Sequence, residues 1–479
     1  MRRAPAPGGL GHIDHFVLLM LENRSFDDML GWLDASDNPP PFRPRPGGPR
    51  VDGLAGARRT NPVPAWLGGG EVAAGRASRA DEPDPAPSNT FAHTHVQLYG
   101  RAWSGGQGAA EGAPSMDGFV ADYAEVLRAS GQPLTPATYG AVMDAFRPVA
   151  VPVLSGLARA YAVCDRWHCS VPSQTFPNRA FSLAATSLGR ADNVPYTGWL
   201  RMDAPTICNR IMEAGRPELT WRVYYDRADV LPAAWLLCSR LRPYLLTHFA
   251  GMEAFLRDAA AGALPSFAVV EPRFIVRPDD DHPPASVEGG ERLIRTVYEV
   301  LAGGPAWERT LLLITYDEHG GCFDHVPPPA AAPPDPGAPA GQYGFRFDRL
   351  GVRVPAILVS PWIDAGTVFR PRDADGALAS LDHTSWLASV ERRFGLAPLT
   401  ARDAAAADVA GALTRTEPRR DRPAIPSAGS APAGGARARS AAWGADLAAD
   451  RRALAACLRE AGPWEAAAER RLRSLAGAP

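Results

Sequence analysis

The feature that most constrains this chain is the segment Thr310 to Tyr316, Thr-Leu-Leu-Leu-Ile-Thr-Tyr, which carries no charge and runs straight into Asp317-Glu318. A run this short and this apolar reads as a strand buried on both faces, which needs a layer of structure on each side. Comparable runs occupy 13–21, 162–167, 219–225, 266–270 and 354–360. Helical patterns lie between them at 26–32, 152–160, 177–186, 288–302 and 384–394. Strands alternating with helices predict an α/β fold around a mostly parallel sheet.

Other stretches break that rhythm. Residues 36–115 are rich in Pro, Gly, Ala and Arg and read as an irregular insertion, either a functional loop or partly disordered. A catalytic domain over 1–415 holding that insertion, a flexible linker over 416–440 and a helical tail over 441–479 make up the expected organisation.

Bulk properties exclude several classes. A formal net charge of −2 and a pI near 6.6 leave no basic footprint for nucleic acid. No apolar run approaches the roughly 18–20 residues that cross a bilayer. Arg2 and Arg3 are followed by Pro and Gly rather than by an apolar stretch, so no signal peptide is expected and the reading is cytoplasmic. Six cysteines (164, 169, 208, 238, 322 and 457) lack CxxC spacing and read as free thiols, with export and one or two bridges as the alternative.

In open α/β sheets, ligands bind beyond the carboxyl ends of the strands, so the residues after each run carry the functional reading. After the first come Glu22 and Asn23, two oxygen ligands at a strand end, then Ser25 as a helix cap. After the second comes Ser173-Gln174-Thr175-Phe176-Pro177-Asn178-Arg179. Pro177 suits a first helical turn and puts Thr175 at or near the N-cap, where a hydroxyl faces the positive end of a helix dipole. Adjacent Asp317 and Glu318 repel each other unless a cation lies between them, and Gly320-Gly321 allows close backbone approach. Asp324-His325, Asp281-His282, Asp382-His383 and the pair His93 and His95 complete the candidates, with Asp382 as a cap and His383 structural. Each piece also has an ordinary reading as a cap or a solvated loop.

Taken in order, Glu22-Asn23-Arg24-Ser25-Phe26-Asp27, Thr175-Phe176-Pro177-Asn178-Arg179, Asp317-Glu318-x-Gly-Gly-x-Phe-Asp324-His325-Val-x-Pro-Pro, Arg353-Val354-Pro355…Ser360-Pro361 and Asp382-His383-Thr384-Ser385 form a pattern. It resembles the bacterial phosphoesterase family that includes non-haemolytic-type phospholipases C and respiratory-burst-inhibiting acid phosphatases, within the alkaline phosphatase-like superfamily. The resemblance covers roughly residues 11–396 and implies a three-layer α/β/α sandwich. It implies one divalent metal held by Glu22, Asn23, Asp317, Glu318 and the Thr175 hydroxyl, with His93, His282 and His325 around the phosphoryl group. Asn23, Arg179, His282 and His325 would contact substrate. An oxygen-dominated ligand set favours Mn, Mg, Ca or Fe over a thiolate-type zinc site.

The implied activity is metal-dependent hydrolysis of a phosphoric ester, of the phospholipase C kind, through a phosphothreonine on Thr175 and with net retention at phosphorus. In this reading His325 protonates the leaving alcohol, and Asp324 and Asp281 orient their neighbouring histidines. A broad-specificity acid phosphatase and an inactive lipid-binding scaffold are the alternatives. The partner is a small-molecule or lipid phosphoester, and a lipid substrate would bring the periphery of a membrane against a rim formed by 36–115. Two departures from the family pattern stand out. Ser173-Gln174 replaces the usual Gly-Pro, and a short Ala/Arg-rich tail replaces the small β-rich C-terminal domains of the long phospholipases C.

Overall fold

A computed structural model describes residues 9–36, 40–103, 112–229, 231–373 and 375–426. Its centre is a sheet of β1 (His15–Leu21), β2 (Ala162–Val163), β3 (Trp221–Tyr225), β4 (Phe249–Gly251), β5 (Phe267–Val270), β6 (Thr310–Tyr316), β7 (Ala356–Val359) and β8 (Thr367–Val368). The spatial order is β8-β2-β7-β6-β1-β5-β3-β4. Only β7 runs against its neighbours, pairing antiparallel with both β6 and β2. All of β6 is buried, as its uncharged sequence requires of a strand covered on both faces.

Two sets of helices supply that cover and make the α/β/α sandwich. In one, α4 (Pro152–Ala160) packs on α7 (Glu288–Gly303), and α7 on α6 (Met252–Ala261). The buried Glu291 carboxylate of α7 accepts from the backbone N–H groups of Val153 and Leu154, satisfying donors that the first turn of α4 leaves open. In the other, α5 (Thr175–Ala184) packs on α8 (His383–Phe394), and Trp386 and Phe394 of α8 meet Phe16 of β1 edge to face.

The insertion is more regular than its sequence suggests. It holds a two-stranded ladder of Thr60–Pro62 with Glu71–Ala73 and a helix, α2 (Phe91–Tyr99). Thr90 caps α2 at its start, and Gly100 ends it in the left-handed region. Helix α2 packs against α3 (Phe119–Ala129), and an apolar cluster including Leu98, Phe119 and Tyr123 joins them to Phe323 in the loop after β6.

Residues 416–426 lie along α4 and α7, where Arg419 donates to the Ala160 carbonyl and the Tyr298 hydroxyl to the Pro423 carbonyl. The remainder of the expected linker and the whole of the expected helical tail fall outside the described residues. Cysteines 164, 169, 208, 238 and 322 are buried free thiols, and Cys457 falls outside the described residues. Among the described residues, no helix is long and apolar enough to cross a membrane.

Strand register is what builds the functional site. Leu21 of β1 pairs with Tyr316 of β6, so Glu22 and Asp317 leave the sheet side by side.

Candidate active site

Carboxylates crowd this sheet end. Glu22, Asp317 and Glu318 are all buried. Asp317 Oδ1 accepts from the backbone N–H groups of Asn23 (3.0 Å) and Glu318 (2.7 Å). Asp317 Oδ2 is buried and makes no hydrogen bond within the described residues. Arg179 is the nearby cation, with Nε 3.4 Å from Asp317 Oδ2 and 3.5 Å from Glu22 Oε1. Its Nη2 donates to the carbonyls of Met20 and Leu21, and its guanidinium lies over the Phe274 ring. One arginine does not balance three carboxylates. Burial pushes Asp317 well above the usual carboxylate range; Arg179 opposes the rise, while Glu22 and Glu318 add to it. Burial likewise pushes Glu318 up to about 8, against hydrogen bonds from the Gly320 N–H and Asn89. A deficit of positive charge with an orphaned buried carboxylate oxygen suits a bound cation.

Thr175 stands against this cluster. It is the first residue of α5 and half-buried, with Gln174 at the N-cap, so it lies one position further into the helix than an N-cap residue. Its Oγ1 is 3.3 Å from Asn23 Oδ1. Asn23 itself sits at φ +59°, a conformation that asparagine tolerates better than most residues. Asn178 shapes the loop before the helix: its Nδ2 donates to the carbonyls of Val171, Ser173 and Gln174, and its Oδ1 accepts from the Val171 N–H. Asn193 closes the other side, accepting from the Phe176 N–H and donating its own N–H to Gln174 Oε1. These contacts show how a loop with Ser173-Gln174 in place of Gly-Pro is held.

The candidate histidines fall in three places. His282 follows Asp280, whose carbonyl accepts the Glu22 N–H at 2.8 Å, so its loop abuts the carboxylate cluster. Asp281 does not orient the His282 ring. Its carboxylate accepts from the Tyr316 hydroxyl (2.6 Å) and the Gly290 N–H (3.1 Å), while His282 Nδ1 lies 2.5 Å from the Pro283 carbonyl.

His93, on α2, holds Asp122 at 2.7 Å. Asp122 Oδ2 accepts from Gln97 Nε2, which also donates to the Ser88 carbonyl. With both amide protons used, Gln97 Oε1 faces His319 Nε2 at 2.7 Å as the acceptor. Burial lowers His319 to about 3, so the ring is neutral, and its Nδ1 lone pair lies 3.4 Å from Glu318 Oε2. Hydrogen bonds thus run from His93 through Asp122 and Gln97 to His319, which stands against Glu318 without bonding to it. His95 lies apart from this chain, stacked on Tyr99 and lowered to about 4 by burial.

His325 belongs to a separate network. Its Nδ1 is 2.6 Å from Asp27 Oδ2 and its Nε2 3.1 Å from Asp52 Oδ1. Burial opposes its charge, but the hydrogen bonds to Asp27 and Asp52 outweigh burial and push it up to about 9. Asp324 makes no hydrogen bond to the ring, although its charge helps to raise the ring's pKa. It accepts from Arg353 Nε, the Val326 N–H and the Asp27 N–H. Ligand atoms of Asp27, Asp324 and His325 lie within 4.8 Å of one another, close enough to consider a cation. Arg353 already supplies one there, with Nε 2.9 Å from Asp324 and Nη2 3.1 Å from Asp27. The cluster around Asp317 is therefore the better cation site.

Several of these partners escape a reading of the sequence. Asn89 donates to Glu318 Oε1 at 2.5 Å from a segment 229 residues away. His383, read as structural, places Nε2 2.7 Å from the Asp317 carbonyl, with Asp382 capping α8 as expected. Asp27 and Arg353 stand inside the motifs quoted above, yet nothing local shows that they meet.

A mostly parallel α/β/α sandwich with buried carboxylates at two strand ends and a hydroxyl at a facing helix N-terminus suits an ester hydrolase that works through a hydroxyl and a cation. Within that class, the chain belongs to the phosphoesterase family, whose model matches residues 13–397. Non-specific phospholipase C3 of Arabidopsis thaliana is 34% identical over 421 residues, spanning 86% of this chain and 75% of that protein. Non-specific phospholipase C6 of the same plant is 37% identical over 416 residues, spanning 85% and 73%. Phospholipase C A of Mycobacterium tuberculosis is 28% identical over 427 residues, spanning 82% and 75%. The family is thus not confined to bacteria. This chain is a phosphoric-ester hydrolase.

Proposed function

We propose that the chain cleaves a phosphodiester, such as a phospholipid headgroup ester, with Thr175 as nucleophile and one divalent metal ion at the carboxylate cluster. The observation that carries this reading is the Thr175 hydroxyl, 3.3 Å from Asn23 Oδ1 at the N-terminus of α5, beside three buried carboxylates that share one arginine. Glu22, Asn23, Asp317, Glu318 and Thr175 would hold the metal, and their oxygen donors suit Mn, Mg, Ca or Fe. When bound, the metal lowers the pKa of the hydroxyl and neutralises charge on the phosphoryl oxygens.

The remaining chemistry belongs to the chain. Thr175 Oγ, its proton released to solvent, forms a bond to phosphorus as the bond to the leaving alcohol breaks, giving a phosphothreonine. The amide dipoles of α5 stabilise the attacking oxygen as it develops charge. His282 keeps the Nδ1 proton on the Pro283 carbonyl, which leaves Nε2 to carry the proton delivered to the leaving alcohol. Water then attacks phosphorus, and Thr175 leaves with a proton. The two inversions give net retention. His325 has both ring nitrogens on carboxylates, so its assigned role moves from acid to positioning of the loop after β6.

The test is an assay of metal-stripped protein with each metal restored, on p-nitrophenyl phosphorylcholine and p-nitrophenyl phosphate, beside Thr175→Ala. Metal-dependent turnover of the diester that vanishes in Thr175→Ala is the expected result. Preference for the monoester would favour an acid phosphatase, and turnover surviving in Thr175→Ala would remove the nucleophile assignment.

A further inference from the structure

Two loops flank Thr175, and both present aliphatic side chains to solvent. Asn193, which accepts the Phe176 N–H, is followed by Val194, 48% exposed. Gln342 knits this loop to its neighbour. Its Oε1 accepts from the N–H groups of Ala191 and Asp192, and its Nε2 donates to the Val194 carbonyl. Tyr343 comes next, with its hydroxyl on Asp192 and its exposed ring edge stacked beside Phe91.

On the other side, Phe274 covers Arg179, one turn along α5 from Thr175. Ile275, Val276 and Arg277 follow it and are all exposed. The buried carboxylate of Asp229 accepts the backbone N–H groups of Phe274 (2.6 Å), Ile275 (3.1 Å) and Val276 (3.3 Å). That anchor fixes the loop, so Ile275 and Val276 cannot fold back into the core. Single exposed aliphatics are ordinary on a protein surface. A rigidly held set on both sides of the proposed nucleophile, with exposed Arg277 on one loop and exposed Arg346 on the segment that Gln342 ties to the other, is not.

We propose that these loops form an interfacial docking surface for a phospholipid bilayer, with the aliphatics entering the acyl boundary and the arginines meeting headgroup phosphates. The inference rests on the phosphodiesterase reading of the site and names where that substrate is met. The loops lie outside the 36–115 insertion, to which sequence reasoning assigns the rim. That insertion instead holds Glu318 through Asn89. Apolar side chains beside cationic ones are what an interfacial segment requires.

The experiment measures co-sedimentation of the full chain with vesicles of phosphatidylcholine and phosphatidylglycerol. In parallel it follows turnover of vesicle lipid and of soluble p-nitrophenyl phosphorylcholine. The variants are Ile275→Asp with Val276→Asp, Val194→Asp on the facing loop, and Val149→Asp as a control at an exposed valine just before α4. The loop variants should lose vesicle binding and vesicle turnover by about tenfold or more for each aliphatic withdrawn, while soluble turnover and Val149→Asp stay within about twofold of wild type. Absence of vesicle binding by wild type, unchanged binding in the loop variants, or equal loss on both substrates would overturn the proposal. Loss of vesicle binding in a protein that turns over neither ester would overturn the phosphodiesterase reading and leave the docking surface standing.

Discussion

The hydroxyl of Thr175 reaches Asn23 Oδ1 across 3.3 Å, joining the first residue of α5 to a residue at φ +59° just beyond β1. The two contributions separate by substitution. Thr175→Ala removes the proposed nucleophile and should cut kcat by about ten-thousandfold or more, whereas Thr175→Ser should retain turnover within about a hundredfold. Asn23→Gly keeps the backbone conformation and deletes the side-chain oxygen, so thermal stability should hold while kcat falls about a hundredfold or more. Asn23→Ala should lose the same activity and about 1 kcal/mol of stability besides, since alanine resists positive φ. Unchanged turnover in Asn23→Gly would remove Asn23 from the reaction.

Asn89 offers a test of the metal site that does not touch its proposed ligands. Its amide donates to Glu318 Oε1 from the insertion. Groups that orient a ligand typically affect metal affinity by about 10–100-fold, and Asn89→Leu should weaken binding by that factor in a calorimetric titration. Metal at a hundredfold excess over Kd should stabilise wild type by about 2.7 kcal/mol and raise its Tm. Asp317→Asn should abolish that rise. A rise of equal size in both proteins would place the metal elsewhere.

Legibility of the sequence follows how local each feature is. β6 spans the full run from Thr310 to Tyr316, because an uncharged stretch bounded by Arg309 and Asp317 marks its own ends. β2 is shorter than the run at 162–167, since only Ala162 and Val163 pair with β7. Past Val163, isolated bridges of Trp167 and His168 replace the ladder. Helix α2 escapes a periodicity search because its apolar residues do not fall on one narrow stripe, although Thr90 and Gly100 carried its cap signals. Glu22, Asn23, Asp317 and Glu318 stand out in the sequence because they come straight after β1 and β6, and Thr175 because Pro177 marks the first turn of α5. The partners of Asp281 and His325 do not: Tyr316 lies 35 residues from Asp281 and Asp27 lies 298 from His325. Adjacent residues made more obvious partners and proved to be wrong ones.

The hydrogen-bonded chain from His93 to His319 should behave as a unit. Gln97 occupies its middle, with both amide protons and its carbonyl oxygen engaged in the interior. Gln97→Leu strands His319 Nε2 and Asp122 Oδ2 without partners. Each stranded buried group costs about 1–3 kcal/mol, so the variant should unfold at lower urea than wild type. Gln97→Glu would restore the acceptor for His319 but set a carboxylate against Asp122, and it should recover less than half of the loss. If the leucine variant matched wild type in urea, the chain would have no structural weight.

His325 supplies the sharpest pH test, because the sequence and the geometry give it different work. Its pKa stands at about 9 in the folded protein, above the ordinary 6.5, through its bonds to Asp27 and Asp52. A raised histidine contributes stability that is complete below its unfolded pKa and is lost as pH rises through the folded value. Wild type should therefore lose stability between about pH 6.5 and pH 9, by on the order of 1–3 kcal/mol, and His325→Gln should lack that slope. As a positioning residue, His325 should leave kcat on the soluble diester within about tenfold in the glutamine variant, with the alkaline limb of the rate profile intact. A general acid would behave otherwise, with a fall of about 100- to 10,000-fold and an alkaline limb that disappears. That second outcome would return the acid role to His325 and take it from His282.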